Sequence, residues 1–156
     1  MRSDRQRKTR TRIKMVKVKS KKTVEKKVWD GSKKIAVILI RGLVGTRTEI
    51  RDTLKMLNLH RKHACTIISN SPARMGMIEK VKDFVTYGEI DDDTLKLLIE
   101  KRAQKDPKDE KKIKPFFRLS PPIGGFERKG IKKHYTIGGV LGYRGENIND
   151  LIKRMI

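Results

Sequence analysis

Few residue combinations in the chain could support catalysis or metal binding. His60 and His63 have the spacing of a metal-ligand pair, and the three aspartates at 91–93 could hold magnesium. The histidines, however, lie in a cationic turn without a nearby carboxylate or second cysteine, and the aspartates precede a predicted helix, where capping is the commoner role. Cys65 is the single cysteine, and no Ser-His-Asp or Cys-His spacing identifies a nucleophile. We therefore predict no enzyme activity, no metal and no cofactor.

A first glycine motif, GLVGT at 42–46, lies between a predicted strand and a predicted helix, where nucleotide-binding loops occur. A phosphate loop requires GxxxxGK[ST], and the dinucleotide fingerprint requires three glycines at GxGxxG spacing. This motif has two glycines and no lysine that would reach a phosphate. We interpret it as a plain turn, so a small nucleotide-using enzyme is only the third hypothesis.

A second glycine motif, VLGYRGENINDLI at 140–152, resembles the GXXG loop and following helix of a KH domain. In KH domains this loop clamps single-stranded nucleic acid, which would put Tyr143 and Arg144 on RNA. A KH fold needs further sheet after this helix or a matching three-stranded frame, and the sequence stops at Ile156. We favour a glycine-rich turn into a terminal amphipathic helix, whose apolar residues face the body: Ile148, Leu151, Ile152 and Met155.

The segment 114–134 places aromatic residues beside cations and glycines. Such a combination suits ribose and base contacts, but also suits a loop that packs back on its own domain. We expect Phe116 to lie mainly in the core. The cluster that we expect to face RNA consists of Arg128, Lys129, Lys132 and Lys133.

The net charge of +22, from 40 Lys and Arg against 18 Asp and Glu, predicts a large polyanion as partner. It argues against a cationic small molecule as the ligand. No apolar run is long enough for a membrane span, and the basic N-terminus lacks the apolar region of a signal peptide. We expect a cytoplasmic protein without membrane contact or a small-molecule substrate.

The positive charge is concentrated outside the most apolar part of the chain. Residues 1–34 alone carry a net +12. We predict a basic arm at 1–32 that is disordered when free and orders on phosphate, the alternative being a solvated tail. A folded core at 33–103 and a basic extension with a terminal helix at 104–156 follow. The predicted RNA contacts in the arm are Arg5, Arg7, Lys8, Arg10, Arg12, Lys14, Lys17, Lys19, Lys21 and Lys22.

The core shows alternating strand and helix patterns. Strands are predicted at 33–40, 65–69 and 84–90. Helices are predicted at about 47–58, with a Thr46–Glu49 capping box and Leu54 facing the core, at about 72–83 after an N-cap at Ser71, and after the aspartates at 91–93. Because one helix connects the first two strands, we expect them to be parallel; the third strand could have either direction.

Several segments in this order resemble one family, the large-subunit ribosomal protein numbered thirty in bacteria and seven in eukaryotes, in its archaeal form. They are IAVILIRG, DTLKMLNLHRKHACTI, NSPARMGMIEKVKDFVTYGEID, FRLSPPIGGF and GGVLGYRGENINDLIKRMI. The resemblance covers about residues 33–156. It implies an α+β fold with a βαβαβ core, a three-stranded antiparallel or mixed sheet and a ferredoxin-like arrangement. It also implies a non-catalytic protein that binds ribosomal RNA near 5S RNA, beside neighbouring ribosomal proteins.

The leading hypothesis is a structural constituent of the large ribosomal subunit; the alternative is a free, KH-like RNA-binding or RNA-processing factor. The sequence departs from the family at Ile123, where a basic residue is common, in its more than 30 extra N-terminal residues, and in a short spacer at 104–114 that lacks room for an accessory helix. Besides the arm and the cluster above, the predicted RNA contacts are Arg41, Arg61, Lys62, His63, Arg74, Arg118, Tyr143 and Arg144.

Overall fold

The computed structural model describes residues 34–105 and 113–156. The predicted arm and most of the 104–114 spacer therefore lie outside the described residues. None of the described helices is long and apolar enough to cross a membrane. The elements are β1 (Lys34–Leu39), α1 (Thr48–Met56), β2 (Ala64–Ser69), α2 (Pro72–Lys80), β3 (Val85–Glu89), α3 (Asp92–Arg102), β4 (Phe117–Arg118), β5 (Gly142–Tyr143) and α4 (Ile148–Met155).

The strands form one mixed sheet in the order β4-β2-β1-β3-β5. The central strand β1 pairs antiparallel with β2 and β3; β4 pairs antiparallel with β2, and β5 pairs parallel with β3. The predicted α+β class and βαβαβ core are confirmed. The two short outer strands come from the C-terminal extension, and the sequence analysis did not anticipate them.

The predicted parallel pairing of β1 and β2 is wrong. A single helix joins parallel strands only when the connection changes ends of the sheet. In this protein α1 starts beside the end of α2, where Glu49 pairs with Lys80 at 3.6 Å, and its nine residues advance about 13 Å. The segment 57–63 then returns to the end at which the chain left β1. There the amide of His63 donates to the carbonyl of Leu39 at 2.7 Å.

Helices cover both faces of the sheet, so β1 is buried on both sides. Its residues Ile35, Val37 and Leu39 pack with α1 and α2 in one apolar cluster. The alternate residues, from Ala36 to Ile40, pack with α3 and α4 in a second cluster. This double coverage explains the continuous apolar run of the strand. Leu54 is fully buried on α1, as predicted.

The predicted capping box at the start of α1 is wrong. The N-cap residue is Arg47, and its side chain makes no capping hydrogen bond. Glu49 pairs with Lys80 instead of returning to the backbone of Thr46. Ser71 does occupy the N-cap position of α2, with Pro72 as the next residue, but its hydroxyl does not cap the helix either.

The terminal helix α4 docks on the sheet as predicted, with Ile148, Leu151, Ile152 and Met155 fully buried. A polar residue that the sequence analysis missed, Asn149, fixes where it docks.

The Asn149 side chain is buried and joins α4 to the junction between β3 and α3. Its Oδ1 accepts from the amide of Asp91 (3.1 Å) and the hydroxyl of Thr94 (2.8 Å). Its Nδ2 donates to the carbonyls of Glu89 (3.2 Å) and Glu146 (2.9 Å). The amide thus has a partner at every hydrogen-bonding position, which makes its burial tolerable.

The backbone at Gly145 passes directly over β3 at Gly88. A Cβ built on Gly88 would overlap the carbonyl oxygen of Gly145, a backbone atom that cannot move without shifting the start of α4. By contrast, a Cβ on Gly76, in the exposed face of α2, meets nothing within 4 Å.

We therefore predict opposite effects for two glycine substitutions. Gly88→Ala should lower the unfolding free energy by about 1–3 kcal/mol, because the added methyl group forces two packed backbone segments apart. Gly76→Ala should raise it by about 0.5–1 kcal/mol, because alanine favours the helix and restricts the unfolded chain. Urea denaturation of both variants measures the difference. Equal stability of the Gly88 variant and the unmodified chain would contradict the close approach.

Candidate nucleic-acid interface

One end of the sheet collects most of the predicted surface cations. Because β1 is antiparallel to its neighbours, the end of β1 lies beside the starts of β2 and β3. The end of β4 lies there too, since Arg118 pairs with Ala64. We call this surface the cationic end. Its members are Arg41, Arg61, Lys62, Lys82, Arg118, Arg128, Lys129, Lys132 and Lys133.

Backbone and side-chain contacts hold the segments of the cationic end together. The Arg41 guanidinium donates to the carbonyl of Asp83 (3.2 Å) and lies over the Phe84 ring, 4.9 Å from its centroid. The amide of Leu119 donates to the carbonyl of His63 at 3.0 Å. Cations from four separate stretches of chain are thus kept at fixed relative positions.

The loop at 128–133 joins this surface through contacts at both of its ends. Before the loop, Phe126 stacks on His63 with ring centroids 6.0 Å apart and planes 16° apart. After it, His134 pairs with Asp83 at 3.1 Å, and the carbonyl of Lys133 accepts from two amides that precede β5. The loop therefore lies against the starts of both β2 and β3.

The cations of this end have no carboxylate partner among the described residues, whereas several cations on the helices do. Lys55 pairs with Asp52 at 3.4 Å and Lys96 with Asp93 at 3.8 Å, both within a helix. Among the described residues, none of the nine members of the cationic end takes part in an ion pair. Such a surface repels itself unless an anion covers it, which makes it suited to a phosphate backbone.

His63 belongs to this end without adding a full charge. Burial and the positive charge of Lys62 both lower the pKa of His63 below its ordinary value near 6.5. The ring is therefore mostly neutral at pH 7. One face of the ring stacks on Phe126 and Nδ1 is buried, so the ionic contacts are left to the neighbouring Arg61 and Lys62.

Two predicted contacts lie away from the cationic end. Arg74 donates to the hydroxyl of Ser69 (3.0 Å), at the far end of β2. The Tyr143 hydroxyl donates to the carboxylate of Glu89 (3.3 Å), at the far end of β3. Burial and the charge of Glu89 raise the pKa of Tyr143. The structure therefore does not bring these two residues together with the other predicted contacts.

Arg144 is not on the surface, so the prediction that it contacts RNA is wrong for this arrangement. Only 5 % of the residue is exposed. Its guanidinium forms an ion pair with Glu127 and lies over the Tyr135 ring, 4.5 Å from the centroid. It is occupied by partners inside the protein and cannot reach a phosphate in this arrangement.

The same geometry disfavours the KH interpretation of the second glycine motif. A KH clamp presents the two central residues of GXXG to the nucleic-acid backbone. In this protein Gly142 and Tyr143 form β5, paired with β3, and Arg144 points inward. The alternative interpretation, a glycine turn leading into α4, describes the observed structure.

The other candidate sites have structural roles. The first glycine motif is a turn, closed by a hydrogen bond from the amide of Thr46 to the carbonyl of Leu43. Asp91 is the N-cap residue of α3, although its side chain makes no capping hydrogen bond, and Asp92 and Asp93 form the first turn. Within 34–105 and 113–156, no three His, Cys, Asp or Glu side chains are grouped to hold a metal ion. His60 lies exposed with its ring edge against Phe116, which is half-buried rather than central to the core.

Sequence reasoning missed two residues of this region. Lys82 lies just before β3. It could be assigned to the cationic end only once β3 was known to begin beside the end of β1. Glu127 lies in a basic stretch, and the sequence analysis assigned it no role. Its partner, Arg144, is 17 residues away in the sequence, so no local sequence pattern indicates the ion pair.

Comparison with known proteins gives a consistent result. Residues 35–85 match the model of the family described as Ribosomal protein L30p/L7e. Proteins named large ribosomal subunit protein uL30 are similar over most of their length. The one from Methanococcus maripaludis is 46% identical over 151 residues, covering 78% of this chain and 98% of the relative. The one from Nanoarchaeum equitans is 42% identical over 151 residues, covering 78% and 97%.

A third relative, from Methanopyrus kandleri, is 42% identical over 149 residues, which are 100% of its length but take up only 75% of this chain. The relative thus has residues without a counterpart in this chain.

Proposed function

Since this chain belongs to the Ribosomal protein L30p/L7e family, we propose that it is a structural constituent of the large ribosomal subunit and binds ribosomal RNA in the cytoplasm. Its task is to hold RNA segments together during assembly and translation, without catalysis. The family relationship supports the ribosomal role, and the cationic end supports the manner of binding.

The observation that carries the proposal is a set of cations at one end of a rigid sheet that have no carboxylate partner within 34–105 and 113–156. Each cation that neutralises a phosphate releases a counterion, so several fixed cations together bind RNA strongly at low salt. The opposite end of the sheet carries Glu89, Glu146 and the aspartates at 91–93. This asymmetry orients the protein, with the cationic end toward the phosphate backbone and the acidic end away from it.

The basic arm at 1–32 extends this binding in the proposal. Its charge is comparable to that of the whole cationic end, and it precedes β1 directly. A chain of that composition gains its order from phosphate contacts. We propose that the arm follows RNA away from the folded body and so joins RNA segments that the sheet alone does not reach.

The proposal also includes a location near 5S RNA, beside neighbouring ribosomal proteins. The family resemblance is what supports this location. Sequencing the RNA that crosslinks to residues of the cationic end tests it. Recovery of 5S RNA or adjoining large-subunit RNA is expected, and recovery of RNA from a distant region would contradict the location.

Sedimentation separates a ribosomal constituent from the alternative, a free RNA-binding or processing factor. We predict that the protein stays with large subunits through a high-salt wash, at about one copy per subunit, because many phosphate contacts are buried together in the assembled particle. Quantitative mass spectrometry of gradient fractions gives the copy number. Loss in the wash, or a small fraction of a copy, would favour the free factor.

The salt dependence of binding to ribosomal RNA tests which cations are used. The variant Lys62→Gln, Arg118→Gln, Lys132→Gln removes one cation from each of three segments of the cationic end. If all three contact phosphates, the log-log slope of affinity against salt should become shallower by about 2. Filter binding at several salt concentrations measures the slope.

The matched control for this variant is Lys55→Gln, Lys96→Gln, Lys153→Gln, which removes the same charge from α1, α3 and α4. Its slope should stay close to that of the unmodified chain. Equal slopes for the two triple variants would mean that net charge alone drives binding.

Deletion of 1–32 should also flatten the slope, and an unchanged slope would show that the arm is not on RNA.

A further inference from the structure

We propose that Glu127 is a positioning residue for RNA binding: through its ion pair with Arg144 it fixes the cationic loop at 128–133 in the arrangement that meets phosphate. An acidic residue would then be required for a cationic protein to bind an anion. The inference rests on the proposed function, since it concerns how the same surface is held.

The ion pair is buried on the arginine side and partly buried on the glutamate side. The Arg144 side chain is 3% exposed and the Glu127 side chain 22%. One carboxylate oxygen, Oε1, accepts from the Arg144 guanidinium and lies 3.8 Å from that of Arg154. Within the described part of the chain the other oxygen, Oε2, is buried without a hydrogen-bond partner. The side-chain contacts of the carboxylate that the structure describes are therefore made through Oε1.

Arg144 is fixed to the sheet and so provides a rigid anchor. Its amide donates to the carbonyl of Tyr87 at 2.9 Å. Its side chain contacts the Thr86 hydroxyl at 3.4 Å and the carbonyl of Val140 at 3.3 Å, and the guanidinium lies over the Tyr135 ring. Contacts on every side leave the guanidinium little freedom, and a bond to it holds Glu127 against β3.

From Glu127 the constraint passes directly into the loop. The carbonyl of Glu127 accepts from the amide of Gly130 at 2.9 Å and closes a tight turn around Arg128 and Lys129. The amide of Lys129 lies 3.4 Å from the carbonyl of Gly138. After the loop, hydrogen bonds to Lys133 hold the chain through the backbone. Before it, Glu127 provides the ionic contact.

If this contact is weakened, the loop must be ordered when RNA binds, and the lost conformational entropy reduces affinity. The loop cations would still be present but would be less well aligned with phosphate. The electric charge of the protein changes in the opposite sense, because removing a carboxylate raises the net charge by one. Positioning and simple electrostatics therefore predict opposite results for one substitution.

The test is Glu127→Gln, which keeps the shape of the side chain and removes its charge. We expect affinity for ribosomal RNA to fall roughly fivefold, which corresponds to losing the charge assistance of one partly buried hydrogen bond. The log-log salt slope should also become shallower, although no cation has been removed. A purely structural role would not change the slope of a folded variant.

The matched control is Glu100→Gln, the same change on the exposed surface of α3. It should bind RNA as the unmodified chain does, or slightly more tightly. Circular dichroism at the binding temperature confirms that each variant is folded. Should Glu127→Gln fail to fold, Glu127→Asp serves instead, because it preserves net charge while withdrawing the carboxylate from Arg144; it should also weaken binding.

The outcomes separate this inference from the proposed function. Absence of salt-dependent RNA binding by the unmodified chain would overturn the proposed function itself. Normal binding by that chain, with equal or tighter binding by the folded Glu127 variant, would overturn the positioning role alone.

Discussion

The antiparallel pairing of β1 with both of its neighbours is the constraint on which the surface depends. It returns the chain, after each of two connections, to the end of the sheet where β1 finishes, and the hydrogen bond from His63 to Leu39 marks the first return. Arg41 and Lys62 lie near the two ends of the first connection and Lys82 near the end of the second, yet this pairing places all three at one end of the sheet. A parallel second strand would have moved Lys62 to the opposite end, beside the aspartates that open α3. The same backbone hydrogen bonds that stabilise the sheet therefore also determine where positive charge accumulates.

Polar contacts in the C-terminal part of the chain complete that arrangement. Apolar packing attaches α4 to one face of the sheet, but apolar contacts alone specify direction and register poorly. Asn149 satisfies four polar groups at the acidic end, and Arg144 connects β5, β3 and the loop before the cationic cluster. Each is a buried polar residue whose partners are complete or nearly so. Together they fix α4 and the cationic loop relative to the central strands.

Periodicity allowed the three central strands, the helices and the buried face of α4 to be predicted, because those segments repeat apolar residues at the spacing of their structure. The predicted direction of β2 was wrong because the seven residues after α1, 57–63, reverse the chain. Asn58 and His63 adopt left-handed conformations in this segment. Neither residue is a glycine, so composition gave no sign of the reversal. The strands β4 and β5 have two residues each, too few for any pattern. Arg144 looked like an RNA contact because its partner Glu127 is 17 residues away in the sequence.

The central claim, that the cationic end faces RNA in the large subunit, can be tested by chemical modification of lysines in the free protein and in purified subunits. We expect Lys62, Lys82 and Lys132 to react in the free protein and to become protected on assembly. It also predicts that enzymatic digestion of the RNA restores their reactivity, because phosphate is what covers them. Lys55 and Lys96, on the helices, should not gain reactivity on digestion in this way. Cationic-end lysines that stay fully reactive in intact subunits would contradict the account.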